Sequence, residues 1–349
     1  MLKGMTMRPP ILAAAFSGLA ALSGVALGQV VVLPLASTRI SGISDDGTRV
    51  SGPIFGNRQD YYSWDATGGY TYANVTPSDQ HGEPYLSGAG NAIAGSRLIN
   101  GTQRAFVSTN GGAPADLPFS LPGQVNQSIP TGTSRDGSVV CGWDTHFSNP
   151  TQVGWRWSAT SGMQVLPGFA FTLSMSGDGR TIFGGNGAGQ YGMWRDGVVS
   201  PVPNNFGRVQ AVNYDASILA GDGRIWRDGQ ITTLPLLPGA GNPEIIDISE
   251  DGNVVVGTNS LFGGGDVPII WTPATGTQRL GDYFASFGYD LSGYQIVDAH
   301  LNATGRTFGL SAWSPNEGAY RSLIVTVPGP GAGLLVGVLA VRWTRRRRN

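Results

Sequence analysis

Cysteine is almost missing from this sequence. Cys141 is the only one in 349 residues, which excludes an intramolecular disulfide. It follows Val139 and Val140 in a β-branched run, the setting of a small buried hydrophobe and not of a nucleophile. Histidine is nearly as scarce, and His81 and His146 fall in loops without metal-ligand spacing, so no metal and no cofactor is implied. Charged residues make up only 13%, with a formal net charge of -1. No basic field is available to replace the counterions of phosphates, which excludes nucleic acid as a partner. Helical stripes are absent as well, so long helices are not expected.

Turn formers are abundant, with 54 Gly and 22 Pro against 40% hydrophobic residues set in short runs. That balance is too apolar for disorder and describes an all-β chain of many short strands. The stretch from Ile245 to Leu280 shows the unit most clearly. An apolar run (Ile245 to Ile248) meets an Asp251-Gly252 turn, a β-branched run (Val254 to Val256) closed by Gly257, a loop, an apolar run ending in Trp271, and a Thr275-Gly276 turn.

Aligned on Ser249 to Gly257, gapless copies begin at Ser44, Ser87, Ser134, Ser176, Asn213 and Asn302, with starts 36 to 53 residues apart. Trp64, Phe106, Trp157, Trp194, Trp226 and Trp271 end the third run of six copies, and a tight turn follows each. Each unit reads as four strands, close to the ~40 to 45 residues of a propeller blade. The seventh copy lacks its fourth strand. Val30 to Leu35 resembles the fourth strands around Val165-Leu166-Pro167 and Leu234-Pro235-Leu236, so it is expected to complete the last blade and close the ring.

The fold expected is therefore all-β, a seven-bladed β-propeller over 29–327. Its repeats span about 40–75, 84–118, 129–168, 172–203, 208–238, 244–284 and 294–327, with 30–35 completing the last. A β-solenoid or a tandem β-sandwich is the alternative arrangement.

Both ends read as addresses. Lys3 and Arg8, an apolar stretch from Ile11 to Leu27, and the small residues Ala26 and Gly28 form a secretory signal peptide over 1–28, cleaved by signal peptidase before Gln29. At the other end, Val327-Pro328-Gly329-Pro330 precedes an apolar segment from Gly331 to Val341, then Trp343 and Arg345, Arg346, Arg347 and Arg348. This order over 328–349 resembles the PEP-CTERM sorting signal of bacterial exported proteins, with Gly329 where that family usually has Glu. The resemblance implies an exosortase as a partner and a transmembrane tether held transiently at the inner membrane before release to the surface. The repeats themselves, with S-x-D-G, V-V-x-G and Gly162-Met163-Gln164-Val165-Leu166, resemble the bacterial extracellular HAF-repeat proteins; Arg104-Ala105-Phe106 stands where their His-Ala-Phe tripeptide falls.

Candidate chemistry is thin. Asp45, Asp46, Asp136, Asp178 and Asp251 lack the alternating oxygen ligands of a calcium loop and read as turn formers. The polar residue opening each core reads as a side chain bonded to its own turn. Two positions earlier, Asp247 and His300 fall at equal depth on adjacent blades, the one acid and base pair brought together by the repeat register and the candidate catalytic pair. Trp143 and Trp155 break the aromatic register beside the loop from Asp144 to Gln152 and are the candidate ligand-binding residues. The function expected is an exported, non-catalytic scaffold or binding module whose partner is envelope polysaccharide or another surface protein. The alternative is a polysaccharide-processing hydrolase or lyase acting over the channel.

Overall fold

The computed structural model describes residues 28–55, 60–75, 83–121, 125–146, 152–261 and 264–329. Strand β1 (Gln29–Val32) opens the described chain but belongs to the last sheet. The first sheet then follows in chain order, β2 (Gly42–Ile43), β3 (Arg49–Ile54), β4 (Asp60–Asp65) and β5 (Gly69–Tyr72). Next come β6 (Tyr85–Leu86), β7 (Ala92–Ile99), β8 (Thr102–Thr109) and β9 (Ala115–Asp116), then β10 (Val125–Thr133), β11 (Val139–His146), β12 (Gln152–Ser158) and β13 (Gly162–Val165). A single parallel pairing, Gln127 with Gln103, joins these two groups into one eight-stranded sheet.

The remaining sheets repeat the antiparallel pattern. They are β14 (Phe171–Met175) to β17 (Val198–Pro201), β18 (Ala211–Val212) to β21 (Gln230–Thr233), and β22 (Ala240–Ile248) to β25 (Gly276–Arg279). The last holds β26 (Gln295–Leu301), β27 (Thr307–Ser314), β28 (Ala319–Thr326) and β1. The result is an all-β, propeller-like arrangement of small sheets. One short helix, α1 (Leu280–Ser286), follows β25, and it buries Leu280 and Phe284 against Phe308 of the next sheet. Among the described residues no helix is long and apolar enough to cross a membrane. The signal segment 1–27, His81, Pro330, the apolar run 331–341 and the four arginines lie outside the described residues.

The turn that opens each sheet shows why the sequence repeats. Ser249 Oγ donates to Asp251 Oδ1 at 2.6 Å and accepts from the Val254 N–H at 2.9 Å, while Asp251 Oδ1 also accepts from Asn253 N–H. Ser44, Ser134 and Ser176 make the same pair of bonds with Asp46, Asp136 and Asp178. Asn213 and Asn302 supply the accepting half alone, their amide oxygens taking the Ile218 and Thr307 N–H groups. The glycine two residues past the serine's neighbour holds positive φ, 64° at Gly252, which a side chain rarely tolerates.

Successive turns are also tied to one another. Asp45 N–H donates to Gly88 O at 2.8 Å, Ala89 N–H to Arg135 O at 2.6 Å, Arg135 N–H to Gly177 O at 2.7 Å and Asp178 N–H to Tyr214 O at 2.8 Å. Tyr214 N–H donates to Glu250 Oε2, Glu250 N–H to Ala303 O, and Asn302 Nδ2 to Asp45 O, returning to the start. The inner strands β2, β6, β10, β14, β18, β22 and β26 follow the same cyclic adjacency.

Closure by the N-terminal strand takes the expected form. Val30 pairs with Val325 and Val32 with Leu323. Leu33 then turns inward, fully buried, with its N–H on Ser322 O. Leu117, Leu166 and Leu234 do the same after β9, β13 and β21, with their N–H groups on Ala105 O, Gly154 O and Gly223 O.

The tryptophan series sits between sheets, with one correction. Trp64, Trp157, Trp194, Trp226 and Trp271 face Val50, Val140, Ile182, Leu219 and Val255. Each packs back on the preceding sheet, as Trp271 does on Ile218 and Ile225. Phe106 is not in this series. It faces Gly95, and Ser108 takes the tryptophan position opposite Ile93.

The turn acids also set an acid limit on stability. Asp136 is held below the usual carboxylate range by the Ser134 hydroxyl first, and Asp215 by the Ser217 hydroxyl and N–H. A folded-state pKa below the unfolded one contributes stability that is present above the ordinary value and lost as pH falls through the lowered one. The melting temperature should therefore drop on acidification below about pH 4, and an Asp136→Asn/Asp215→Asn variant should show a shallower acid limb. Parallel acid limbs for variant and parent would refute this assignment.

Candidate functional site: the central channel

The inner strands surround a cavity of about 650 Å³ lined by residues from every sheet. They reach it because each inner strand alternates, and in four sheets a bulge shifts its register, between Pro130 and Gly132, Thr172 and Ser174, Ile245 and Asp247, and Ile296 and Asp298. A bulge re-aims the residues that follow it, here towards the channel.

Asp247 and His300 both line the channel. Asp247 is tied into the backbone, its Oδ1 accepting from Ile248 N–H at 2.8 Å and its Oδ2 from Leu301 N–H at 3.1 Å, the latter across to the next sheet. Burial pushes its carboxyl above the usual range, against the pull of the His300 imidazole. His300 Nε2 is buried, has no hydrogen-bond partner among the described residues, and stands 3.8 Å from Asp298 Oδ2. Asp298 in turn meets Arg39 at 3.3 Å, and Arg39 reaches Glu83 at 3.4 Å. Sequence reading missed Asp298, Arg39 and Glu83. Asp298 lies two residues before His300 on one strand face, a signal available only once that strand is known to line the channel.

At the end of the channel ringed by the turns, the second residue of each core faces inward: Asp45, Gly88, Arg135, Gly177, Tyr214, Glu250 and Ala303. Arg135 forms an ion pair with Asp45 across Gly88 and lays its guanidinium 5.4 Å from the Tyr214 ring centre across Gly177. Both bridges need the intervening glycine. A Cβ on Gly88 would stand 2.6 Å from the Asp45 carboxylate, and one on Gly177 would stand 2.8 Å from the Tyr214 ring. Burial raises the Asp45 and Glu250 carboxyls, opposed by Arg135 at Asp45 and by the Tyr214 N–H at Glu250. The result is a continuous acid, guanidinium, phenol and acid arc, Asp45 to Glu250, around one mouth.

The other candidates fare differently. Trp155 is a correction: it is fully buried, faces Gly142, and donates its indole N–H to Asp144 Oδ1 at 2.7 Å. Asp144 also accepts from the Ser120 N–H and hydroxyl, so this tryptophan anchors a core and cannot reach a ligand. Trp143 is half-buried and faces Gly154. Gly28 and Gln29 stand at the start of β1, and Val327, Pro328 and Gly329 follow the end of β28. Cys141 is fully buried, and burial pushes its thiol up to about 11. No cluster of His, Cys, Asp or Glu among the described residues is placed to hold a metal ion.

The fold and its channel define a β-propeller protein. No family model and no curated relative matches the sequence. Among solved structures, the chain is similar to virginiamycin B lyase from Staphylococcus aureus at 15% identity. One match is a catalytically inactive form with quinupristin, at a TM-score of 0.50 over 85% of this chain and 98% of that one. The other is the selenomethionine protein, at 0.52 over 86% and 99%. A puromycin hydrolase variant complexed with PGG matches at 12% identity and a TM-score of 0.51. That match covers 81% of this chain and 51% of the hydrolase, so the chain spans about half the hydrolase's length. At these identities the likeness is one of fold alone.

Proposed function

We propose that this protein is an exported seven-bladed propeller acting as a non-catalytic binding module or scaffold at the cell envelope, taking its partner at the turn-ringed mouth of the channel. The observation that carries the reading is the arc from Asp45 through Arg135 and Tyr214 to Glu250, built across Gly88 and Gly177, where a Cβ would collide with the Asp45 carboxylate and with Tyr214. Seven blades are supported by the cyclic adjacency of the inner strands and by β1 standing as a fourth strand. Export rests on the sequence alone, on the signal segment ahead of Gln29 and the sorting segment after Val327 that an exosortase would read. Envelope polysaccharide or another surface protein is the partner class.

A second reading, a polysaccharide-processing hydrolase or lyase, draws on Asp247, Asp298 and His300 in the channel. Against it, both oxygens of Asp247 already accept backbone hydrogen bonds, and facing carboxylates of a glycosidase need one free to donate and one free to attack. The purified 28–327 unit, run on a glycan array, against envelope extracts and in a hydrolysis screen, separates the two. Binding without turnover, weakened about tenfold by Tyr214→Ala, is the expected result. Turnover abolished by Asp247→Ala would overturn it.

A further inference from the structure

A second concavity lies away from the channel, and a repeat position explains it. Opposite the ninth residue of each core, the third strand places a large buried side chain: Tyr62, Phe106, Trp155 and Ile269 face Gly52, Gly95, Gly142 and Gly257, and in the last copy Leu323 faces Leu310. In the sheet of β18 to β21 the position is Arg224, whose guanidinium lies 5.2 Å from the Phe206 ring centre and bonds Phe206 O at 2.6 Å. In the sheet of β14 to β17 it is Gly192, facing Gly184, and the Phe169 ring from the preceding turn packs against the pair, 2.4 Å from where a Cβ on Gly184 would stand. There the interior opens as a cleft of about 590 Å³.

The lining of this cleft has a definite chemistry. Among the described residues no charged side chain lines it. Tyr191, half-buried, supplies the aromatic surface, the neighbouring Phe169 being buried, and Val199, 45% exposed, supplies an aliphatic wall. Asn186, Gln190 and Asn205 supply amides. Asn186 Nδ2 donates to Gln190 Oε1 at 2.7 Å, which orients the pair and leaves each amide nitrogen with donors to spare. The backbone conformation at Gly192 is one that any residue adopts, since its φ is not positive, and a Cβ there would touch nothing closer than Ser200 O at 3.2 Å.

We propose that this cleft binds a neutral saccharide unit of an oligo- or polysaccharide. A pyranose ring pairs an apolar C–H face with a rim of hydroxyls. An uncharged concavity with aromatic surface beside oriented amides matches both, whereas an anionic or cationic ligand would lose its hydration without a counter-charge. The site is separate from the channel mouth and stands whether or not the mouth binds a partner.

The test uses the 28–327 unit and an array of neutral and uronic-acid oligosaccharides, with affinities for the hits from titration calorimetry. Neutral oligosaccharides should bind with a dissociation constant below about 1 mM. Gly192→Phe, which places a ring at the cleft wall, should weaken binding at least tenfold. Gln190→Ala should weaken it about fivefold, and it carries the test if Gly192→Phe does not fold. Arg135→Ala at the channel mouth should leave it unchanged. The proposal is overturned if no neutral oligosaccharide binds, if both cleft variants bind like the parent, or if Arg135→Ala alone abolishes binding.

Discussion

A chain lacking residues 28–36 is expected to lose its cooperative unfolding transition and to accumulate as aggregate. The segment contributes the four paired residues of β1, and Leu33 is wholly buried with Val31 and Leu35 packed around the same cluster. Burying one such aliphatic side chain stabilises by about 1.5 to 3 kcal/mol. Leu33 and its partly buried neighbours together therefore approach the 5 to 15 kcal/mol that separates folded from unfolded domains, by the usual order of magnitude. The loss is also topological. Without β1, the run Leu323 to Thr326 becomes an unprotected apolar edge, a template for pairing with another chain. Calorimetry and size-exclusion chromatography on the truncated and full 28–327 units would show it, and a synthetic 28–36 peptide should restore part of the transition. An unchanged melting temperature in the truncated chain would mean that closure by this strand is not what holds the ring.

Gly142→Ala should be nearly as damaging although it adds one methyl group. A Cβ at this position would fall well inside contact distance of the Ile129 carbonyl oxygen and of the Trp155 ring. Neither can retreat: Ile129 belongs to the inner strand just before its bulge, and Trp155 is pinned by Asp144. Overpacking of this kind costs about 3 kcal/mol. Gly281→Ala is the matched control, since it lies in α1 with nothing within 4 Å of an added Cβ; it should be neutral or up to about 1 kcal/mol stabilising. Chemical denaturation of the two variants beside the parent decides the matter, and equal midpoints would show that the glycine is a turn preference and not a packing requirement. The same clash recurs at Gly257 against Glu244 O, at Gly221 against Arg208 O and at Gly184 against Phe171 O.

This explains how far the sequence could be read. The serine, aspartate and glycine of each core were legible because a turn is local: Ser249, Asp251 and Val254 satisfy one another within six residues. The partnership of Val30 to Leu35 with the last copy was legible because Leu33 repeats the pattern of Leu166 and Leu234. Trp155 and Phe106 were misplaced for a physical reason. Residues two apart on a strand share a face, so Trp155 and Trp157 look alike by period, and only pairing tells which one meets Gly142. The arc around the mouth and the cleft at Gly192 were not legible at all, since both depend on contacts between different sheets.

The hydrogen bonds running from turn to turn act as a hoop. Its links are mostly backbone amides and carbonyls, with Asn302, Asn213 and Glu250 closing the gaps, so the bore is gauged by the main chain. The side chain at the second turn position takes little part in that gauge. Glu250 is the exception, since its carboxylate is one of the links; Asp45, Arg135 and Tyr214 are free to be exchanged for others while the aperture keeps its width, which separates the part of the molecule that sets a dimension from the part that chooses what is met there.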